Sequence, residues 1–288
     1  MKNFIITAML LLLSGCAVNL TTDSFVYQDK AVESQVNLAQ IMTKITDDNT
    51  LITLNQVEVI TKDNIKLKGV EFTHKNAIAN IVLFGGNGMK ISRSAGILNQ
   101  FSQLPANIIW FDYRGMGVSE KNKQLSVSQL QQDALTVYDF AKQRFSNNKP
   151  ILVHGISMGS LLATFVAGQK PIDGLILDGA ISTVPDLIDN ITPTWSKLFT
   201  TVIVADELNE INNIELIKRY HKPLLFLASE NDEVTPVNFS QELLQASNSK
   251  VKSLVIIANI GHGQTMKTQQ ALRQYKNFIN KLNCCNKS

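Results

Sequence analysis

One short motif in the sequence could supply a nucleophile. Residues 155–159 read Gly-Ile-Ser-Met-Gly, a G-x-S-x-G pattern with Ser157 at its centre. The apolar run 151–153 precedes the motif, and a segment able to form a helix, 158–168, follows it. A serine on a tight strand-to-helix turn exposes its hydroxyl beside a helix N-terminus, which stabilises developing negative charge. The pattern therefore predicts Ser157 as the nucleophile of an acyl transfer.

A serine hydroxyl needs a base, and His262 has the position that a base requires. It lies in a loop after the last apolar run, 254–257, and before the last predicted helix. The other three histidines are less well placed, since His74 precedes the first parallel strand, His154 adjoins the serine turn and His221 stands at the entry side of a strand. We therefore expect His262 to be the base.

The base needs a carboxylate that orients it, and two aspartates are candidates. Asp232 lies in the loop after the run 224–227, and the resulting chain order of serine, aspartate and histidine is that of hydrolases with a G-x-S-x-G turn. Asp178 ends the preceding run, 175–177, and is the alternative acid. The sequence favours Asp232. Asp178 would then brace the loop under a short lid, which we place at about 181–222.

A glycine-rich loop, Gly85-Gly86-Asn87-Gly88, follows the first predicted parallel strand. Its backbone can turn amide groups towards an oxyanion, so we expect one donor from the Met158 N–H and a second from Asn87, with Gly86 next. The loop lacks both the P-loop and the dinucleotide-binding patterns, which argues against a nucleotide site. The predicted chemistry requires no metal and no cofactor.

Hydrophobic periodicity predicts the elements that position these groups. Alternating residues at 57–60 and 65–70 predict an antiparallel hairpin with a turn at 61–64. Short apolar runs typical of strands buried on both faces follow at 81–84, 108–111, 151–153, 175–177, 224–227 and 254–257. Helix-forming segments alternate with them at 92–103, 127–144, 158–168, 237–246 and 264–282. The order predicts an α/β fold with a mostly parallel, doubly wound sheet flanked by helices.

Composition is consistent with one globular α/β domain, which we place at 51–283, with a short lid at about 181–222. Apolar residues make up 44% of the 288 residues and charged residues 18%, and the net charge is only +3. So balanced a charge argues against nucleic acid as a partner. The apolar residues of the lid either line an acyl pocket or pack as ordinary core. The sequence does not decide the oligomeric state.

The N-terminus has the features of an export signal. Lys2 precedes an apolar run at 5–13, which is too short to span a bilayer. Residues 13–16, Leu-Ser-Gly-Cys, resemble the lipobox of bacterial lipoproteins, which implies cleavage after residue 15 and lipidation of Cys16. With Ala17 next, the resemblance favours the outer membrane where two membranes are present. Residues 16–50 are expected to form a tether with one possible helix at 32–45, or to pack on the domain.

The run at 112–119, Asp-Tyr-Arg-Gly-Met-Gly-Val-Ser, completes a wider resemblance. With the features above, residues 57–282 resemble the α/β-hydrolase superfamily of serine esterases, lipases and acylaminopeptidase-like enzymes, and most closely its short-lid esterases and thioesterases. The resemblance implies that Asp112 and Arg114 brace loops. Gly85-Gly86 replaces the histidine-glycine pair that is frequent in the family.

The resemblance implies a membrane-anchored esterase or thioesterase acting on small-molecule or lipid-like acyl substrates. Two alternatives stay open. One is a lipoprotein that keeps the fold as a catalytically silent binding module, and the other is a peptidase of the same fold.

Overall fold

The computed structural model describes residues 16–45, 49–94, 96–146 and 148–285, so the predicted signal peptide lies outside the described residues. The strands are β1 (Cys16–Leu20), β2 (Ile52–Ile60), β3 (Lys66–His74), β4 (Ala79–Phe84), β5 (Ala106–Phe111), β6 (Ile151–Ile156), β7 (Gly174–Asp178), β8 (Thr200–Val204), β9 (Leu224–Ser229) and β10 (Lys252–Ile257). The helices are α1 (Thr22–Phe25), α2 (Leu38–Met42), α3 (Ile91–Ser94), α4 (Gly96–Phe101), α5 (Val127–Arg144), α6 (Gly159–Gln169), α7 (Val184–Ile191), α8 (Asp206–Asn209), α9 (Asn213–Ile217), α10 (Val237–Ala246) and α11 (Gln269–Cys285).

Eight strands form one sheet in the order β10-β9-β7-β6-β4-β5-β3-β2. The β2–β3 and β3–β5 pairs are antiparallel and all others are parallel, which confirms the predicted fold class. The chain passes from β4 to β5 on one side and returns to β6 on the other. The carboxyl ends of β4 and β6 therefore flank a topological switch point, the place where sheets of this kind bind ligands.

Helices cover both faces of the sheet. Side chains of α3, α4 and α11, such as Leu98 and Tyr275, are buried with one face, and side chains of α5, α6 and α10, such as Tyr138 and Leu243, with the other. A smaller cluster packs the lid helix α7 against residues at the N-terminal ends of α5, α6 and α10. These helices follow strands, so their N-terminal ends mark the carboxyl edge of the sheet, and the lid lies over that edge.

Two predicted elements differ from the structure. The expected helix at 264–282 is divided, because a short 3-10 turn, Thr265–Lys267, precedes α11. The run at 254–257 was predicted to be buried on both faces, and this prediction was wrong. Strand β10 is the edge strand of the sheet, and Ile256 is 42% exposed. Periodicity alone cannot distinguish an edge strand from a central one.

The segment before the sheet packs on the domain. Val26 and Ile41 are both buried, and the helical spacing at 32–45 yields only the short helix α2. Strand β1 pairs in parallel with β8 of the lid, so the segment also joins the lid. In the structure, residues 16–45 pack on the domain and do not form a free tether.

The lid contains α7, β8, α8 and α9, and its apolar side chains divide into two groups. Leu187 and Ile188 are buried core residues. Trp195, Leu198 and Phe199 are exposed, so they neither line a pocket nor pack as core. Within the described residues no helix is both long and apolar enough to cross a membrane.

A buried guanidinium joins the hairpin to α5. The Arg114 side chain is 1% exposed and donates to both carboxylate oxygens of Asp133 and of Asp63. The hydrogen bond from Arg114 is the main cause that lowers the pKa of Asp63, to about 2. Asp112 accepts from the backbone N–H groups of Ile91 and Val118. Asp112 and Arg114, both from the 112–119 run, thus hold loops together.

Replacing Arg114 by methionine should cost about 3–5 kcal/mol in the free energy of unfolding, because it leaves the Asp133 carboxylate buried without its partner. Urea denaturation measures the loss. Lys218→Met is the matched control, since Lys218 pairs with Glu215 on the surface and should contribute no more than about 1 kcal/mol. Equal losses for the two variants would contradict the bracing role.

Candidate active site

Ser157 lies on a strained turn between β6 and α6. Its φ is +50°, a left-handed conformation that a non-glycine residue rarely adopts. The flanking glycines allow close backbone contacts, since a Cβ at Gly155 would lie 2.4 Å from the Gly159 carbonyl oxygen and one at Gly159 would lie 2.1 Å from that of Phe84. The Ser157 N–H donates to the Asp178 carbonyl at 2.8 Å. The turn is therefore held between β4 and β7.

His262 and Asp232 form a close side-chain contact at the same edge of the sheet. His262 Nδ1 lies 2.8 Å from Asp232 Oδ2 and 3.0 Å from Oδ1. Thr235 donates its backbone N–H to Oδ1 at 2.8 Å and its hydroxyl to Oδ2 at 2.9 Å. Burial raises the pKa of Asp232, but the hydrogen bonds from His262 and Thr235 outweigh it, so the pKa lies below its ordinary value. The carboxylate fixes the Nδ1–H tautomer, which leaves Nε2 free to accept a proton.

The structure pairs His262 with Asp232 and gives Asp178 a different partner. Asp178 is buried, and its carboxyl group accepts a hydrogen bond from the Thr265 hydroxyl. Burial raises the pKa of Asp178 to about 7. An acid with so high a pKa is a poor partner for an imidazolium ion. Asp178 therefore joins the serine turn, through its carbonyl, to the loop that carries His262.

The remaining histidines lie elsewhere. His154 is buried within β6, with Nδ1 3.2 Å from the Tyr275 hydroxyl, and burial lowers its pKa to about 3. His74 ends β3, where burial lowers its pKa. His221 is exposed on the approach to β9. Of the four histidines, His262 is the one whose ring contacts a buried carboxylate within the described residues.

The glycine-rich loop after β4 faces the serine. A Cβ placed on Gly86 would lie 3.6 Å from the Ser157 Cβ. The Gly86 N–H points to the Met89 sulfur at 3.4 Å. Within the described part of the chain, the backbone N–H groups of Asn87 and Met158 have no protein acceptor. These two amides are therefore available to a substrate oxygen.

The side chain of Asn87 has a role that the sequence did not reveal. Its amide donates to the Phe25 carbonyl at 2.8 Å and its oxygen accepts from the Tyr27 N–H at 2.7 Å. Two residues further on, Asp29 pairs with Lys90 at 2.8 Å in a nearly buried contact. The N-terminal segment thus holds the glycine-rich loop at Asn87 and again at Lys90, two residues after the loop ends. These contacts join residues about 60 positions apart, so no local pattern signals them.

A cleft of about 410 Å³ adjoins the serine turn, a volume that suits a small-molecule ligand. Ile156 and Gly263, the chain neighbours of Ser157 and His262, line it together with Asp178. Arg93 and Lys267 are among the other residues that line it. A second apolar cavity beside Met158 has a volume of only about 30 Å³. The described residues contain no cluster of three or more His, Cys, Asp or Glu side chains arranged to hold a metal.

A doubly wound sheet with a serine turn at its switch point and a histidine–aspartate pair beside it defines the α/β-hydrolase fold, and this chain has that fold. Residues 75–217 match the family described as serine aminopeptidase, S33. Among solved structures, a Pyrococcus furiosus esterase superposes with a TM-score of 0.69 at 17% identity, covering 89% of this chain and 97% of that one.

Curated sequences include two informative relatives. An uncharacterized membrane protein of Saccharomyces cerevisiae is 24% identical over 224 residues, which are 77% of this chain and 78% of that protein. A lysophosphatidylserine lipase of Macaca fascicularis is 26% identical over 202 residues, which are 62% of this chain but only 50% of the lipase. The chain is thus an α/β-hydrolase-fold protein similar to esterases and lipases.

The two candidate acids can be separated by mutation. Asp232→Asn should lower kcat by about 10⁴-fold, because the amide cannot stabilise the imidazolium. Asp178→Asn retains an oxygen that can accept the Thr265 hydrogen bond and should lower kcat by less than about tenfold. Ester turnover measures both, and the reverse order of losses would assign the acid to Asp178.

The contact between Asn87 and the N-terminal segment can be tested while the backbone donor is kept. If the Asn87 N–H is an oxyanion donor, Asn87→Ala should lower kcat by about 10- to 100-fold with little change in KM, because the donor is no longer held in place. Asn248→Ala is the control, since the Asn248 side chain makes the same kind of bond to the Lys218 carbonyl at the surface. A kcat for Asn87→Ala equal to that of the control would show that the contact has no part in turnover.

Proposed function

We propose that this protein is a serine hydrolase that cleaves carboxylic ester or thioester bonds through an acyl-enzyme on Ser157. The observation that carries the proposal is that a strained serine turn and the His262–Asp232 pair lie at the same carboxyl edge of the sheet. A structural serine would not require a left-handed backbone. A surface histidine would not require a buried carboxylate held by Thr235.

The proposed reaction uses the chain's own side chains. His262 Nε2 takes the Ser157 proton as Oγ bonds to the carbonyl carbon, and the carbonyl electrons move to the oxygen. The N–H groups of Met158 and Asn87 stabilise that oxyanion. When the oxyanion collapses, the bond to the leaving group breaks and the leaving group takes the proton from His262. Water, activated by His262, then releases the acid and regenerates Ser157.

In the described structure the Ser157 hydroxyl has no hydrogen-bond partner. Catalytic hydrogen bonds are often long or unformed in free enzymes and tighten when substrate binds. We therefore infer that substrate binding brings Ser157 Oγ and His262 Nε2 into contact.

We further propose that lipid on Cys16 anchors the protein to the bacterial envelope, in the outer membrane where there are two. The lipobox-like sequence at 13–16 supports this proposal. Two acyl chains give stable anchoring because each buried methylene contributes about 0.8 kcal/mol. An anchored hydrolase would meet acyl substrates that reside in or near the bilayer.

A peptidase is the second candidate, because the matching family is described as a serine aminopeptidase. The same cleft and triad could act on an amide. The choice between esterase and peptidase depends on whether His262 can protonate an amine leaving group held in the cleft. A comparison of ester and amide substrates decides it.

Turnover of p-nitrophenyl esters of several acyl lengths, measured beside Ser157→Ala, tests the proposal. We expect turnover in the parent protein and none above background in the variant, because the variant has no nucleophile. Aminoacyl p-nitroanilides, assayed in parallel, test the peptidase. If the parent cleaves neither class and a fluorophosphonate probe fails to label Ser157, the protein is not a serine hydrolase and the binding-module alternative takes its place.

A further inference from the structure

The lid exposes four large apolar side chains that are close together in sequence. Trp195 is 72% exposed, Leu198 77%, Phe199 58% and Ile191 48%. All four lie within nine residues, from the end of α7 to the residue before β8. We call them the apolar lid patch. Clustered exposed residues of this size mark an interaction surface, because water solvates them poorly.

The patch lies beside the predicted lipid attachment site. Strand β1 begins at Cys16 and runs parallel to β8, with Cys16 opposite Thr200, the residue after Phe199. Neighbouring strands are about 4.8 Å apart. The attachment point of a lipid on Cys16 would therefore lie about one strand spacing from Thr200, the residue that directly follows the patch.

No long tether separates the anchor from the domain. Beyond β1, the Ala205 N–H donates to the Leu20 carbonyl at 2.9 Å, and the Thr22 hydroxyl bonds to Glu207. The segment then continues to the contacts of Asn87 and to the Asp29–Lys90 pair. A membrane that holds Cys16 must therefore lie against the lid.

We propose that the apolar lid patch docks into the bilayer that carries the Cys16 lipid. Tryptophan and phenylalanine suit this position, because aromatic side chains favour the boundary between headgroups and acyl chains. Docking turns the carboxyl edge of the sheet, with its cleft, towards the membrane surface. The inference rests on the proposed lipid anchor and is independent of the chemistry of Ser157.

Tryptophan fluorescence can locate the patch, because the chain has two tryptophans and Trp110 is buried. The full chain is expressed in a bacterium, purified with its lipid and reconstituted into phosphatidylcholine vesicles, whose flotation establishes anchoring. Bromine atoms on the upper acyl chains of the lipid then quench any tryptophan at that depth. We expect Trp195 emission to fall about twofold and to shift to shorter wavelength, since interfacial side chains lie about 5–10 Å into the boundary.

Two variants make the measurement specific. Trp195→Phe should remove the quenched signal and leave the Trp110 emission unchanged. Val251→Trp in the Trp195→Phe background is the matched control. Val251 is 54% exposed and directly precedes β10, so it lies at the amino ends of the parallel strands, away from the carboxyl edge that the lid covers. Its emission should stay unquenched.

The outcomes separate the proposals. Failure to float would overturn the lipid anchor and the docking with it. Flotation with equal quenching at positions 195 and 251, or with none at 195, would overturn docking alone. Quenching at 195 in a protein without esterase activity would support docking while Ser157 chemistry failed.

Discussion

The site depends on one close backbone contact, between the turn that carries Ser157 and the carboxyl end of β4. Gly159 lies so near the Phe84 carbonyl that no side chain fits between them. This contact sets the distance between the serine and the glycine-rich loop, because the register pairs Phe84 with Gly155. The left-handed conformation of Ser157 is strained, so favourable contacts in the surrounding sheet must offset the free energy of that strain. Rigid elements thus position the proposed nucleophile and its proposed oxyanion donors.

Of three aspartates near the carboxyl edge of the sheet, one differs from the others in its pKa because of the hydrogen bonds that it receives. Burial raises the pKa of both Asp112 and Asp178 to about 7, although Asp112 accepts two backbone N–H groups. Asp232 is buried too, but His262 and Thr235 donate to it and its pKa falls. Since only Asp232 combines a low pKa with a contact to an imidazole, it is suited to stabilise a protonated histidine. The surroundings of each aspartate, and not its residue type, decide whether it braces a loop or is suited to the proposed catalytic role.

The N-terminal segment links three parts of the molecule. Its first residues pair with the lid, its middle holds the Asn87 side chain, and Asp29 forms a nearly buried pair with Lys90. A buried pair of this kind favours one arrangement, because separating the partners would leave a charge buried alone. One segment therefore connects the proposed membrane anchor, the lid and the glycine-rich loop.

The sequence by itself determined the fold class and proposed the triad, because these depend on local patterns. A G-x-S-x-G turn requires only five residues, and helix α5 has the bounds predicted for it, 127–144. Only the tertiary structure decided between Asp232 and Asp178, since both follow adjacent strands and the choice depends on which carboxylate reaches His262. It also decided that β10 is an edge strand and that residues 16–45 pack on the domain. These features are set by strand order and by contacts between residues far apart in sequence, and no local periodicity encodes them.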